Sequence, residues 1–252
     1  MKLVVALRKE LLEQWRTYRM LIVAVVFVVP GLASPLLAKL TPELLRMIPE
    51  GEQIAGLIPE PTVSDAVVQY VKNLTQFGVI LALLMAMGSV AREKDKGTAA
   101  MVLVKPMPRA SFLLAKFGAL AVTFGVSILL AGAAAYYYTL LLFEPLDLGG
   151  WLALNGLFLV YLLVYVALTL LASTVSRSQA VAGGLAFGFL MVLGILGALP
   201  GLDKAMPGQL LTWGSGLLLG EDVARWPALG VSLGLIAGAL LAAQAILSRQ
   251  EI

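Results

Sequence analysis

Six long apolar runs dominate the sequence, and none of them contains an Asp, Glu, Lys or Arg. The runs cover residues 20–38, 74–91, 117–138, 151–173, 180–199 and 228–247. A helix needs about 20 mainly apolar residues to cross the hydrocarbon core of a bilayer. Continuous apolar runs, as opposed to alternating ones, are atypical of a transmembrane β-barrel. The sequence therefore predicts an all-α membrane protein, in which residues 1–252 form a single transmembrane domain with six spans.

Residue types that are missing from the chain exclude several classes of enzyme. The sequence has no Cys, which removes disulfides, thiolate nucleophiles and zinc–thiolate sites. It also has no His, the usual base of Ser and Cys hydrolases and the commonest metal ligand. Only 13% of the residues are charged, against about 25% in a soluble domain. We therefore expect a membrane protein that is not an enzyme and that does not bind nucleic acid.

Charge is distributed unevenly over the segments that join the spans. Thirteen of the 18 Lys and Arg lie in residues 2–19, in the loop between spans two and three, and at Arg177 and Arg249. The opposite side holds the other five, together with ten of the 15 acidic residues. Because Lys and Arg concentrate in cytoplasmic loops, we expect a multi-pass protein of the cytoplasmic membrane with both termini in the cytoplasm.

The spans offer no ionisable group for a proton or ion relay. Self-powered pumps usually keep such groups inside the membrane, so any energy for transport is expected to reach these spans from outside. The few polar side chains in spans three and four are Thr123, Ser127, Asn155 and Thr169. We interpret them as helix–helix hydrogen-bond partners, and they identify no substrate.

Residues 2–19 predict an amphipathic helix that lies on the membrane surface. Apolar residues recur there at helical spacing and form one stripe. The stripe consists of Val4, Leu7, Leu11, Trp15 and Tyr18. Charged residues such as Lys9 and Arg16 lie on the opposite face, which is typical of an interfacial helix in contact with lipid.

Two outer segments carry structural signals of their own. In the first, residues 43–47 are predicted to form a short helix between prolines, and Thr62-x-x-Asp65 is a typical helix start that leads into the second span. In the last, residues 209–219 are apolar but too short to span a bilayer. They predict a re-entrant or interfacial segment.

The loop between spans two and three is the densest charge cluster in the chain. Residues 92–96 are predicted to extend the second helix out of the bilayer, Gly97 to end it and Thr98 to begin the next one. Residues 99–104 then form a short, nearly apolar helix, which Pro106 and Pro108 terminate. Lys116 is expected to snorkel at the base of the third span. The loop thus presents a short apolar helix to the cytosol, where it can lie on the bilayer or dock into a partner.

This pattern resembles the cytoplasmic coupling region of type-2 ATP-binding-cassette (ABC) permeases. The resemblance is carried by Glu93-x-x-x-Gly97-Thr98 followed by Pro106, Arg109 and Lys116. Pro108 stands where that family usually has Ser, which would stiffen the turn. The resemblance extends over nearly the whole chain and includes the N-terminal helix, the six spans and a short second cytoplasmic loop at residues 175–179.

The resemblance implies a specific assembly. Such permeases form dimers, here a homodimer, and each copy binds a cytoplasmic nucleotide-binding subunit that holds ATP and Mg; this chain, which has no phosphate-binding loop motif, would bind no cofactor itself. Residues 99–104 would be the coupling helix in a cleft of that ATPase, and ATP hydrolysis would drive substrate export. The coupling residues would be Arg92, Glu93, Lys94, Gly97, Thr98, Ala99, Met101, Val102, Pro106, Arg109 and Lys116, with Arg177 in the second cytoplasmic loop.

Two alternatives stay open at the level of sequence. The chain can instead be a non-transporting subunit that transmits force to a periplasmic or extracellular partner, as relatives of these permeases do in metalloenzyme and cytochrome maturation. An intramembrane enzyme is disfavoured, because the nearest paired carboxylates, Glu144 and Asp147, read as a solvated outer turn.

Overall fold

The computed structural model of the protein describes residues 2–48, 59–95, 108–221 and 224–250. Within these ranges the chain forms helices and connecting turns, without a β-strand. The predicted coupling helix lies outside the described residues. The same holds for six of the predicted coupling residues, which are Gly97, Thr98, Ala99, Met101, Val102 and Pro106. Their role stays a prediction.

Nine α-helices are present in the described part of the chain. They are α1 (Lys2–Arg16), α2 (Arg19–Arg46), α3 (Val63–Met87), α4 (Ala91–Asp95), α5 (Arg109–Leu142), α6 (Leu148–Val175), α7 (Gln179–Ala198), α8 (Gln209–Leu219) and α9 (Trp226–Arg249). Six helical stretches are long and apolar enough to cross a membrane: α2, α3 together with α4, α5, α6, α7 and α9. The predicted all-α membrane fold with six spans is confirmed.

The helices extend further than the apolar runs that predicted them. Helix α2 continues to Arg46 through Pro30, Pro35 and Pro42, so the separate helix expected at 43–47 is wrong. Prolines are tolerated in membrane helices where neighbouring helices and hydroxyl groups satisfy the backbone. Helix α3 begins at Val63 with a complete capping box, as Thr62-x-x-Asp65 predicted.

The core lies where α2, α3, α5 and α6 meet. Phe27 of α2 packs edge-on against Phe124 of α5, with ring centroids 6.0 Å apart, and also contacts Phe158 of α6. Small residues allow the backbones to approach closely, because a Cβ added at Gly31 of α2 would lie 2.8 Å from the carbonyl oxygen of Ala131 in α5. Helices α7 and α9, by contrast, leave most of their apolar surface exposed.

The last outer segment folds into helix α8, which packs on α6. A Cβ added at Gly214 of α8 would lie 2.9 Å from Cα of Leu154 in α6, and one added at Gly150 of α6 would lie 2.7 Å from Cα of Leu218 in α8. Trp213 of α8 is buried and packs edge-to-face against Trp226 at the start of α9. The short apolar segment is therefore a helix fixed to the bundle by backbone contact.

The N-terminal helix α1 packs on α5 with a face that only partly overlaps the predicted stripe, since Leu7 of the stripe lies close to Gly118 of α5. Ala6 and Gln14 are buried in this contact, whereas Val4 and Trp15 of the predicted stripe are 67% and 65% exposed. An exposed apolar stripe is what an interfacial helix offers to lipid. Tyr18 does not belong to the stripe, because the helix ends at Arg16 and Tyr18 adopts a left-handed turn conformation with φ of 58°.

Candidate functional site

The end of the second span is interrupted by a break that one hydroxyl group holds in place. Between α3 and α4 the helix is broken at residues 88–90. Ser173 of α6 donates to the carbonyl of Met87 at 2.8 Å, and its Oγ accepts from the backbone N–H groups of Val90 and Ala91, both at 3.0 Å. One Ser therefore satisfies three backbone groups that the break leaves without helical partners and fixes α4 to α6.

The base of the third span carries a buried cation. The side chain of Lys116 in α5 is 4% exposed, and its Nζ lies 2.6 Å from Oε1 of Glu93 and 3.3 Å from Oε2 of Glu10. It also lies 4.9 Å from the centroid of the Phe112 ring. The expectation that Lys116 snorkels is wrong, because two carboxylates stabilise its charge inside the protein. The ion pairs connect α1, the end of the second span and the base of the third.

Further polar contacts hold α1 on α5. Gln14, which is buried, accepts a hydrogen bond from the Thr123 hydroxyl through its side-chain carbonyl. On the outer side of α1, Lys9 lies 3.3 Å from Glu10 and 3.8 Å from Glu13. Partial burial lowers the pKa of Lys9, but Glu10 and the carboxylates of Glu93 and Glu13 outweigh this effect and leave the pKa above its usual value. Helix α1 is thus tied to the charged cluster and to the third span.

A small polar cavity of about 60 Å³ lies within this cluster. Its walls include the carboxylates of Glu10 and Glu93, the Lys116 ammonium group and the Arg19 guanidinium group. A water molecule needs roughly 10–15 Å³ of such space, so the cavity has room for a few waters that could hydrate the charges. Among the described residues no group of three or more His, Cys, Asp or Glu could hold a metal ion.

The two flanks of the loop at 96–107 are fastened to the C-terminal ends of α6 and α9. Lys94 donates to the carbonyl of Thr174 and, at 2.6 Å, to Oε1 of Gln250. On the other flank, Nη1 of Arg109 donates to the carbonyls of Leu247 at 2.5 Å and Ser248 at 2.7 Å. Cations at the C-terminal end of a helix are favoured by unpaired carbonyls and by the helix dipole.

The predicted coupling residues that are described thus fall into three places. Glu93 and Lys116 belong to the ion-pair cluster. Lys94 and Arg109, on either side of the loop, donate hydrogen bonds to the C-terminal end of α9. Arg92 is exposed and lines the polar cavity of the ion-pair cluster, and Arg177 is exposed in the turn before α7.

Sequence reasoning missed several residues that complete the site: Glu10, Gln14, Ser173, Thr174 and Gln250. Glu10 and Gln14 are one helical turn apart, so a polar pair on one side of α1 was the available signal. Nothing in the local sequence distinguishes Ser173 or Thr174 from other hydroxyl residues in spans, whose usual role is to bond their own helix.

Comparisons with known proteins relate the chain to a family and to a bacterial protein. The model of the family described as ABC-2 family transporter protein matches residues 5–210 of the chain. The uncharacterized transmembrane protein YxlG of Bacillus subtilis (strain 168) is 26% identical over 247 residues, which cover 96% of this chain and 95% of that protein. The family match covers α1 to the start of α8 and therefore contains the whole ion-pair cluster.

Proposed function

Because the chain belongs to the ABC-2 family of transporter proteins, we propose that it is the permease through which a separate cytoplasmic ATPase drives substrate export. Proteins of this family are generally non-catalytic membrane subunits that work with such an ATPase. In this proposal ATP and Mg bind only to the partner, both termini of this chain are cytoplasmic, and two copies form the permease.

The observation that carries the proposal is the anchoring of both flanks of the loop at 96–107. On one side Glu93 is joined to Lys116 and thereby to Glu10, and on the other Arg109 is joined to the end of α9. A buried ion pair resists rearrangement, since separating its two charges would leave a buried charge without a partner. A displacement of the loop would therefore be transmitted to α3, α5 and α1 together, and would not be lost in rearrangement of the side chains.

The loop itself supplies the partner contact in this proposal. Residues 99–104 would be the coupling helix that sits in a cleft of the ATPase, with Gly97, Thr98 and Pro106 at its ends. The apolar character of Ala99, Met101 and Val102 supports docking, because an apolar helix is favoured in a groove over water.

The test is to measure ATP hydrolysis and transport in the complex of this chain with its ATPase. Val102→Gly is expected to leave the complex inserted and able to hydrolyse ATP but to reduce transport strongly, because Gly removes the apolar side chain and is a poorer helix former than Val by about 0.5 kcal/mol. Transport at the wild-type ratio to ATP hydrolysis in this variant would contradict the coupling role. Gly156→Ala, at a position with nothing within 4 Å of the added Cβ, is the matched control.

A second candidate function is force transmission to an extracytoplasmic partner without transport. One observation favours it: polar side chains within the spans bond to one another. Tyr70 donates to Oδ1 of Asn155 at 2.6 Å, and Asn73 donates to Ser34 at 3.0 Å. These groups are engaged in joining helices and are not available to bind cargo. Movement of a solute into sealed vesicles by the purified complex would exclude this candidate, and its absence despite ATP hydrolysis would favour it.

A further inference from the structure

A groove lies next to the ion-pair cluster, at the end of the bundle that is cytoplasmic in the proposed function, on which this inference rests. It has a volume of about 290 Å³ and is formed by the start of α2, the end of α3, α4 and the start of α7. Its lining residues are Arg19, Leu84, Met85, Gly88, Arg92 and Gln179. We propose that this groove binds the phosphate-bearing headgroup of an anionic phospholipid from the inner leaflet of the membrane.

Two guanidinium groups from different helices converge on the groove. Arg19 begins α2 and Arg92 belongs to α4, and neither forms a side-chain hydrogen bond or ion pair with a described residue. Each guanidinium offers five donors in a planar fork that matches the oxygens of a phosphate group. Both arginines also line the neighbouring cavity, which they share with Glu10, Glu13 and Glu93, but none of these three carboxylates lines this groove. The described lining therefore carries two positive charges and no negative one.

The N-terminal end of α7 borders the same groove through Gln179. Helix α7 is 20 residues long and begins at Gln179, directly after the N-cap Ser178. The first N–H groups of a helix and its dipole favour an anion at this end. Gln179 reaches across the α3 backbone because residue 88 is Gly: a Cβ there would lie 3.2 Å from Cδ of Gln179. The Gln179 side chain therefore lies against residue 88 and lines the same groove as both arginines.

The apolar part of the groove distinguishes a lipid from free phosphate. Leu84, which is 52% exposed, and Met85 precede Arg92 by about two helical turns on the side of α3 that leads into the membrane. Such an arrangement places donors at headgroup depth and apolar surface beneath them, where the glycerol and the first acyl carbons of a lipid would lie. Soluble phosphate would use only the donors.

The test is to count bound lipid on the purified full-length protein by native mass spectrometry, with phosphatidylglycerol and phosphatidylcholine as probes. The wild-type protein is expected to retain phosphatidylglycerol preferentially. The double variant Arg19→Gln/Arg92→Gln should weaken that retention by about 10- to 30-fold, as expected for two arginines at a lipid headgroup. The control Arg8→Gln/Arg16→Gln removes the same charge from α1, outside the groove, and should weaken retention clearly less than the groove variant does.

A second measurement works without altering the arginines. The chain has no Cys, so Leu84→Cys introduces a single thiol at the rim of the groove. Phosphatidylglycerol should slow its modification by a maleimide, whereas phosphatidylcholine and millimolar inorganic phosphate should not. Any of three results would overturn the proposal: equal loss of lipid in both double variants, no preference of the wild-type protein for phosphatidylglycerol, or protection of the thiol by inorganic phosphate alone.

Discussion

Nζ of Lys116 at the base of the third span lies 2.6 Å from Oε1 of Glu93 at the end of the second. The two residues flank the loop at 96–107, and the ion pair joins the two spans on either side of it. Glu10 of α1 adds a second carboxylate at 3.3 Å. Any motion of the loop that separated the two spans would have to break this pair in an environment where its charges are largely shielded from water.

Removing the cation should cost more than removing one carboxylate. Lys116→Met removes the ammonium group that lies 2.6 Å from Glu93 and leaves Glu10 with Lys9, whereas Glu93→Gln leaves Lys116 with Glu10. We expect Glu93→Gln to destabilise the protein by about 1.5–3 kcal/mol and Lys116→Met by about 3–5 kcal/mol. Thermal unfolding in detergent measures both. The side chain of Glu13 is 44% exposed, so Glu13→Gln should have little effect. An equal loss of stability in all three variants would contradict the role of the ion pair.

The hydroxyl of Ser173 should matter more than other buried hydroxyls. Ser173→Ala leaves the carbonyl of Met87 and the N–H groups of Val90 and Ala91 without this partner. The expected loss in the free energy of unfolding is about 1–3 kcal/mol. Hydrogen exchange at Val90 and Ala91 should rise in parallel.

Ser127→Ala is the matched control for that prediction. Ser127 is equally buried, but its hydroxyl only bonds the carbonyl of Thr123 one turn earlier in the same helix. Its removal should therefore cost less than about 0.5 kcal/mol. Similar effects of the two substitutions would show that Ser173 does not fix the break between α3 and α4.

The contact between Gln14 and Thr123 should couple α1 to the third span. In a double-mutant cycle of Gln14→Leu and Thr123→Val, we expect a coupling energy of about 0.5–1.5 kcal/mol, since each single variant leaves a buried polar partner unsatisfied. Additive effects would mean that the two side chains do not interact in the folded protein. Circular dichroism of each variant establishes that its helix content is unchanged.

Close approach of α2 and α5 should make Gly31 intolerant of a side chain. A Cβ at this position would lie 2.8 Å from the backbone oxygen of Ala131, which cannot move without shifting α5. Gly31→Ala should therefore destabilise the protein by about 1–3 kcal/mol. Gly184→Ala, at a position in α7 with no atom within 4 Å of the new Cβ, should be neutral or slightly stabilising, and a melting temperature unchanged in both would contradict the packing.

The sequence predicted most of the fold because its strongest signals are local. Charge-free apolar runs identify spans without reference to other parts of the chain, and Thr62 and Asp65 predict the start of α3 through contacts three residues apart. The C-terminal end of α2 could not be predicted in this way, because the helix continues through three prolines, of which Pro30 and Pro35 are buried in the bundle.

The candidate site was predicted only in part, since its partners are distant in sequence. Lys116 and Glu93 flank one loop and were both identified, but Glu10 is 106 residues from Lys116. Its role depends on how α1 packs on α5, which the apolar stripe indicated only in part. Arg109 was identified from a pattern, whereas its partners are backbone carbonyls of Leu247 and Ser248, which any residue type could supply.

In the proposed function, a cytoplasmic ATPase binds and moves the loop between the second and third spans. The most direct measurement is site-specific photo-crosslinking from Met101, in cells that co-express the chain and its ATPase, with Leu148 at the opposite end of the bundle as the control position. The account predicts a crosslink to the ATPase from Met101 that changes in yield when ATP is hydrolysed, and none from Leu148. Labelling of Met101 from the external side of the membrane, or no crosslink to any ATPase from this loop, would contradict it.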